Sequence, residues 1–313
     1  MKITVAICTW NRAALLHETL QRMRCLIIPE GVSWEVIVVN NNCTDNTDEV
    51  IERHVDSVLP IRRLFVSEQG QCHCRNAAIE AATGDWILWT DDDVLVAPDW
   101  LSEYVTAIKA NPKHSFMGGS IAPWFETPPP AWLKKHFARL EGAFAVTPVA
   151  PETRTLDVTG KDEAIFGANM AFRTEVMREF PFNTELGLVG DQPMRGDETD
   201  MVLRLVAAGH EGLWVGSANV QHYIPTKRMT TKYLWEFFYG CGQAQSRMAE
   251  PTQVATWFGQ PRWAIRGWLS SMLAAKFLYP LKNRLWLQHF SRAATCAGVL
   301  NASKQGRLKE TYR

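Results

Sequence analysis

Four short runs rich in β-branched residues, Lys2–Cys8, Trp34–Asn40, Ile61–Val66 and Trp86–Thr90, are separated by segments of helical composition at Ala13–Arg24, Thr47–Val55 and Cys72–Ala82. No other feature of the chain constrains its fold as much. Each run is bounded by turn-forming residues, which suits buried strands. Asp45 and Asn46 lie where a helix cap belongs, and Gly84 follows the third helical segment where a stop belongs. Strand–helix alternation of this kind implies an α/β fold, a mostly parallel sheet wrapped by helices. Ligands bind such sheets beyond the carboxyl ends of the strands. That rule selects three stretches, Thr9–Arg12, Asn40–Asp45 and Asp91–Asp93.

Downstream the pattern loosens. Pro123 and Pro128–Pro130 mark a stiff loop, followed by a helix-like Trp132–Leu140. A strand is expected through Ile165–Phe172 and an amphipathic helix through Glu198–Ala208, stopped by Gly209. Short strands are expected at Gly212–Val215 and Asn219–Tyr223, and from Tyr233 the chain reads as helical, broken at Pro251, Pro261 and Pro280. There is no internal repeat.

The formal net charge of +0 conceals a division. From Pro251 onward there are ten Lys/Arg and one acid, Glu310, a net +9 that leaves −9 on residues 1–250. With 313 residues available, we expect a first domain over 1–230 and a basic, aromatic, helical extension over 231–313. The acidic first part argues against a nucleic-acid partner. Seven cysteines, an odd number without regular spacing, suit a reducing cytosol. Neither a secretory leader nor an uninterrupted apolar run of about 18 residues is present, so a cytoplasmic location is expected.

The densest chemical signal is Thr90-Asp91-Asp92-Asp93-Val94. Three adjacent carboxylates repel one another, and a hard divalent cation with oxygen ligands relieves that repulsion. In extended backbone Asp91 and Asp93 fall on one side while Asp92 faces away. Taken alone, the triad also fits a solvated acidic turn. Its context is more specific. Read together, VAICTWNR at 5–12, VIVVNNNCTDNT at 36–47, GQCHCRNAAIEAATGDWILWTDDDV at 70–94 and GDETDMVLRLVAAG at 196–209 resemble the family 2 glycosyltransferases, with their Rossmann-like GT-A fold. The resemblance covers about the first 225 residues, with all four motifs in the family's order and spacing.

The resemblance implies an inverting, metal-dependent transfer of a sugar from a nucleotide-sugar to an acceptor hydroxyl. Thr9 and Arg12 in the first loop, and Asn40, Asn42 and Asp45 in the second, would then hold the base and ribose. Arg75, followed by Asn76, would lie close to the nucleotide, where its fork can pair with phosphate oxygens. Asp91 and Asp92 match the ribose and metal site, and Mn²⁺ or Mg²⁺ on Asp91 and Asp93 would bridge the diphosphate. His222 stands where some members supply a third ligand, which favours Mn²⁺ chemistry. Asn169, in FGANMAF, matches the acceptor-side strand.

Two departures from the family pattern stand out. The family's acid pair reads Glu then Asp, and here it is Asp197 then Glu198. Position selects Glu198 as catalytic base and residue type selects Asp197. Many relatives carry Asp where this chain has Asn40, which leaves UDP-, dTDP- and GDP-linked donors open. Cys72-His73-Cys74 lacks a second ligand pair nearby and reads as core rather than as a zinc site.

The extension interleaves Trp257, Phe258, Trp263, Trp268, Phe277, Tyr279, Trp286 and Phe290 with Arg262, Arg266, Lys276, Lys282 and Arg284. Such a mixture is compatible with a helical cap on the first domain, and the charge excess favours contact with an anionic membrane surface. A peripheral place on the inner face of the membrane and a glycan or lipid-linked glycan acceptor follow as expectations. Two rival functions are a non-catalytic, nucleotide-binding, membrane-associated assembly protein and a sugar nucleotidyltransferase. The latter needs a glycine-rich phosphate loop after the first strand, and CTWNR contains no glycine.

Overall fold

The structure, a computed structural model, describes residues 1–157, 165–188, 195–248 and 255–311, with side chains as far as residue 302. Its elements in chain order are β1 (Lys2–Thr9), α1 (Ala13–Met23), β2 (Ser33–Asn40), α2 (Thr47–His54), β3 (Ile61–Phe65), α3 (Gln71–Ala81), β4 (Trp86–Trp89), β5 (Val94–Val96), α4 (Trp100–Ala110) and β6 (Phe116–Phe125). They continue with α5 (Ala131–His136), β7 (Thr153–Thr155), β8 (Met170–Arg173), α6 (Thr174–Glu179), α7 (Asp197–Ala207), β9 (Gly212–Ile224) and α8 (Thr231–Met248). A small hairpin, β10 (Thr256–Trp257) and β11 (Gln260–Pro261), leads into α9 (Arg262–Leu278) and α10 (Arg284–Thr311).

The main sheet runs in the order β3-β2-β1-β4-β8-β6-β9-β5, with β7 paired to β9. Its parallel half is β3-β2-β1-β4, and the pairings of β8 with β4 and β6, of β5 with β9 and of β7 with β9 are antiparallel. Alternation along the strands covers both faces. Ile3, Val5 and Ile7 point toward α1 and α4, packing with Leu16, Leu20, Trp100 and Tyr104. Ala6, Ile37 and Trp89 point the other way, onto Ala78 of α3, Met177 of α6 and Met201 and Leu205 of α7. Two-sided burial is why these strands carry long apolar runs.

The expected elements of the first ninety residues recur within a residue or two. Several later ones differ: the helix expected over Trp132–Leu140 is α-helical only as far as His136, and the tail read as helical from Tyr233 contains the β10–β11 hairpin. The strand expected from Ile165 begins only at Met170, because Asn169 N–H closes a turn onto the Phe166 carbonyl at 2.9 Å. The two strands expected between 212 and 223 are one continuous strand, β9. Gly216, which reads as a break, instead leaves room for a crossing segment: a Cβ there would lie 1.6 Å from the Ala150 carbonyl oxygen. Pro251, the first expected break in the tail, lies outside the described residues.

The chain divides into two compact units. The first comprises Met1–Trp124, Phe144–Glu185 and Asp197–Tyr223, and the second comprises Phe125–Ala143, Leu186–Gly196 and Ile224–Arg313. The boundary expected at 230/231 follows the change in composition, whereas the division in space also takes in two earlier excursions, 125–143 and 186–196. Within the second unit, Trp132 packs edge-on against Trp286, with ring centroids 6.2 Å apart, and a ring nitrogen of His136 meets the Lys282 carbonyl at 2.7 Å. No helix among the described residues is long and apolar enough to cross a membrane.

Candidate active site

Register brings the loops together. β1 and β2 pair so that Thr9 lies opposite Asn40, and β4 flanks β1 on its other side. The loops leaving all three strands therefore start from one edge of the sheet. Asn11 and Asn42 both adopt left-handed backbone, φ 52° and 57°, a conformation Asn tolerates better than most side chains. The loops are stitched to each other. Thr44 N–H donates to Asn11 Oδ1 at 2.7 Å, and Ala13 N–H donates to Asp45 Oδ2 at 3.0 Å. Asn40 is buried, accepting from Cys43 N–H at 2.8 Å and donating to Asp48 at 2.6 Å, so it shapes its loop from within. Asn42 and Asp45 remain exposed. Trp10, which sequence reasoning passed over, presents an exposed ring in the first loop beside Asn11.

The acidic triad divides as alternation predicts. Asp91, Asp93 and His222 offer ligand atoms that all lie within 4.8 Å of one another. Asp92 turns inward, accepting from Thr9 Oγ1 at 2.7 Å and from Arg12 Nη1 at 3.0 Å, while its backbone carbonyl accepts from Thr19 Oγ1 at 2.9 Å. The same Arg12 nitrogen reaches Asp93 Oδ2 at 2.8 Å. Thr9, Arg12 and Asp92, expected at the nucleotide, thus spend these polar groups on each other. Burial pushes the Asp92 carboxyl up to about 6, against the opposing pull of Arg12, and burial and Asp93 raise Asp91.

His222 comes from β9, paired through Val94 to the strand that follows the triad. Its Nδ1 lies 2.7 Å from the Phe144 carbonyl oxygen, which can only accept, so Nδ1 carries a proton and the ring is held in one orientation. Nε2 then faces Asp93 Oδ1, 3.5 Å away. Two carboxylates and a pre-oriented imidazole suit a divalent ion, with Mn²⁺ tolerating the nitrogen better than Mg²⁺.

A second cluster surrounds Arg75 on α3. Its side chain is 1% exposed, and its fork spans the acid pair at the start of α7: Nη1 meets Asp197 Oδ2 at 2.5 Å and Nη2 meets Glu198 Oε1 at 2.9 Å. The guanidinium also lies over the Phe182 ring at 5.0 Å, and Asn76 clasps the Phe182 backbone through both amide atoms at 2.9 Å. Arg75, expected at the diphosphate, instead gives its fork to two carboxylates. The two acids are unequal. Asp197 is 4% exposed, and burial together with Glu198 raises it to about 7. Glu198 is 22% exposed, and Arg75 and Asp197 more than offset its burial and hold it below the usual range.

Gly167 completes this cluster and was not singled out from sequence. Its N–H donates to Glu198 Oε1 at 3.2 Å, and a Cβ there would lie 1.9 Å from Arg75 Nη2. Asn169, by contrast, is not an acceptor contact. It is fully buried, donating to the Ser120 and Ala218 carbonyls and accepting from Trp100 Nε1 and Tyr104 OH. Those four bonds use all its donors and both acceptor sites, so nothing is left for a sugar. Cys72 and Cys74 are core residues, as their spacing suggested.

The fold and this edge of the sheet define a GT-A glycosyltransferase. The chain belongs to glycosyl transferase family 2, whose family model matches residues 4–180. It is similar to the succinoglycan biosynthesis protein ExoM of Rhizobium meliloti, 25% identical over 260 residues that cover 79% of this chain and 75% of that one. Among solved structures it resembles the mannosyltransferase PcManGT from Pyrobaculum calidifontis, in complex with GDP-Man and Mn²⁺. That pair has a TM-score of 0.63 at 17% identity, covering 96% of this chain and 86% of the other. TarS 1–349 of Staphylococcus aureus in complex with UDP-GlcNAc gives 0.55 at 15% identity, covering 100% and 93%. At such identities these structures show the fold.

Proposed function

We propose that this protein is an inverting glycosyltransferase that moves a sugar from a UDP-, dTDP- or GDP-linked donor to a hydroxyl of a glycan or lipid-linked glycan, with Glu198 as catalytic base. The observation that carries the reading is the inequality of the acid pair under Arg75. Glu198 is the more exposed carboxylate and the one held ionised, while Asp197 is buried and keeps a proton near neutral pH. Asp197 and Arg75 are positioning residues that fix where the Glu198 carboxylate points.

The reaction is a single displacement. The acceptor oxygen attacks the anomeric carbon, the bond from that carbon to the diphosphate oxygen breaks with its electron pair, and the acceptor proton passes to Glu198. A carboxylate held below its usual range is a weak base. It takes the proton late, once bond formation has made the hydroxyl acidic. Asp91, Asp93 and His222 would hold the divalent ion, which when bound neutralises charge on the leaving diphosphate. Trp10, Asn42 and Asp45 are among the exposed residues of the two loops that would surround the nucleotide. The net +9 of the basic extension supports a place for the enzyme at the inner, anionic face of the membrane.

A panel of nucleotide-sugars assayed for nucleotide release, with Mn²⁺, Mg²⁺ or a chelator, tests the reading. We expect one donor to turn over and the chelator to abolish release. Glu198→Gln should lower kcat by roughly 10²–10⁴-fold, the usual worth of a general base. Release indifferent to chelator removes the metal assignment, and near-normal kcat in Glu198→Gln removes the base. Donor-dependent release of any kind excludes a non-catalytic assembly protein.

A further inference from the structure

In α9 the usual sorting of side chains is reversed. Ala264, Gly267, Ser271 and Ala275, all small, are the buried residues of the helix. The bulky apolar side chains Leu269, Leu273 and Phe277 point outward, 51%, 71% and 83% exposed, and Leu281 just beyond is 63% exposed. At about 100° per residue, Arg266, Leu269, Ser270, Leu273, Lys276 and Phe277 fall within one sector of roughly 120°. A helix that buries its small residues and displays its large ones is built around a contact that its own unit does not supply.

The charge around this stripe identifies the contact. Arg262 and Arg266 stand at the amino end of α9, and Lys276, Lys282 and Arg284 at or beyond its carboxyl end, with no acidic residue anywhere from Pro251 to Lys309. Trp257 is held between the two arginines, their guanidinium carbons 4.7 and 5.0 Å from its ring. Trp263 and Tyr279, each about half exposed, border the stripe. Aromatic rings and cations flanking an apolar strip match the headgroup level of a bilayer, with the strip below it. A second copy of the chain fits poorly. A two-fold contact through this face would set Arg266 and Lys276 against cations of the partner, without an acid to relieve them. The helix, 17 residues long, extends about 25 Å, room for its whole apolar strip to meet one flat surface.

We propose that the outward face of α9 is the surface through which this protein docks on an anionic lipid bilayer, a proposal that rests on its membrane-side placement and names the residues responsible. Leu269, Leu273, Phe277 and Leu281 enter the acyl boundary, and Arg266, Lys276 and Lys282 meet the phosphates.

Sedimentation of the full chain with vesicles tests this. The protein should pellet with phosphatidylcholine mixed with phosphatidylglycerol but not with phosphatidylcholine alone, and salt should release it. Leu273→Glu/Phe277→Glu and, separately, Arg266→Ser/Lys276→Ser should each lower partition into the mixed vesicles about tenfold or more. Val58→Glu, at an exposed apolar residue of the other unit, should leave partition unchanged. Unaltered melting temperatures confirm that the variants fold, and these substitutions are all at exposed positions. Wild-type protein that ignores mixed vesicles overturns the membrane placement and the face together. Wild-type binding that survives both double substitutions overturns the face alone. A wild-type dimer that Leu273→Glu/Phe277→Glu converts to monomer, seen by light scattering, overturns lipid docking in favour of self-association. None of these measurements uses a sugar donor, so they judge the surface independently of glycosyl transfer.

Discussion

A buried guanidinium is held in place by what it pairs with, and Arg75 pairs with two carboxylates that would otherwise repel each other. One cation cannot neutralise two anions, so the cluster settles its charge by keeping a proton on Asp197. This has a consequence for stability. The carboxyl of Asp197 titrates at about 7 in the folded protein and near 3.8 when unfolded, so folding takes up a proton between those values. Its contribution is therefore full below about 3.8, declines as pH rises, and is lost above about 7. Asp197→Asn should flatten that part of the profile: melting temperature plotted against pH should fall less steeply between 4 and 7 than in the wild type. Parallel curves for the two proteins would show that Asp197 does not carry this proton.

The turn before β8 and the start of α7 act as one device. Gly167 supplies an N–H to the Glu198 carboxylate and leaves the space that Arg75 fills. Gly167→Ala would force a methyl group to within 1.9 Å of the guanidinium, so the turn or the arginine must move. Disturbing a buried ion pair in this way costs roughly 3–5 kcal/mol when a partner is lost. We expect kcat in Gly167→Ala to fall at least about tenfold, since small displacements of a catalytic group are costly. Donor affinity should change much less, because the loops at Thr9–Arg12 and Asn40–Asp45 are stitched by their own hydrogen bonds. Steady-state kinetics separate the two effects, and a change confined to KM would count against Glu198 as base.

Across the whole molecule, what was legible in the sequence was what is local in it. Strand–helix alternation located β1 to β4 and the loops at their ends, and the triad and the acid pair each sit within a few consecutive residues. The partnership of Arg75 with residues 122 and 123 positions away was not legible, and neither was the space Gly167 leaves, because contact across such distances leaves no periodic trace. Asn169 looked available for a sugar because sequence gives residue type without its four partners. The second unit reaches beyond the expected extension for the same reason. Nothing in the composition of its segments 125–143 and 186–196 ties them to the tail, yet Trp132, His136 and Ala143 pair with Trp286, Lys282 and Tyr233. A chain ended at residue 230 strands those side chains. Its melting temperature should drop by more than about 5 °C, which in a protein this size corresponds to only one or two kcal/mol. An unchanged melting curve would show that the two excursions support themselves. The interleaving also bears on inheritance. A tail attached at a single point can be exchanged between genes by one crossover, carrying its membrane preference with it. Here the second unit is drawn from three separate stretches of the chain, so a transplant of the intact unit must carry all three pieces.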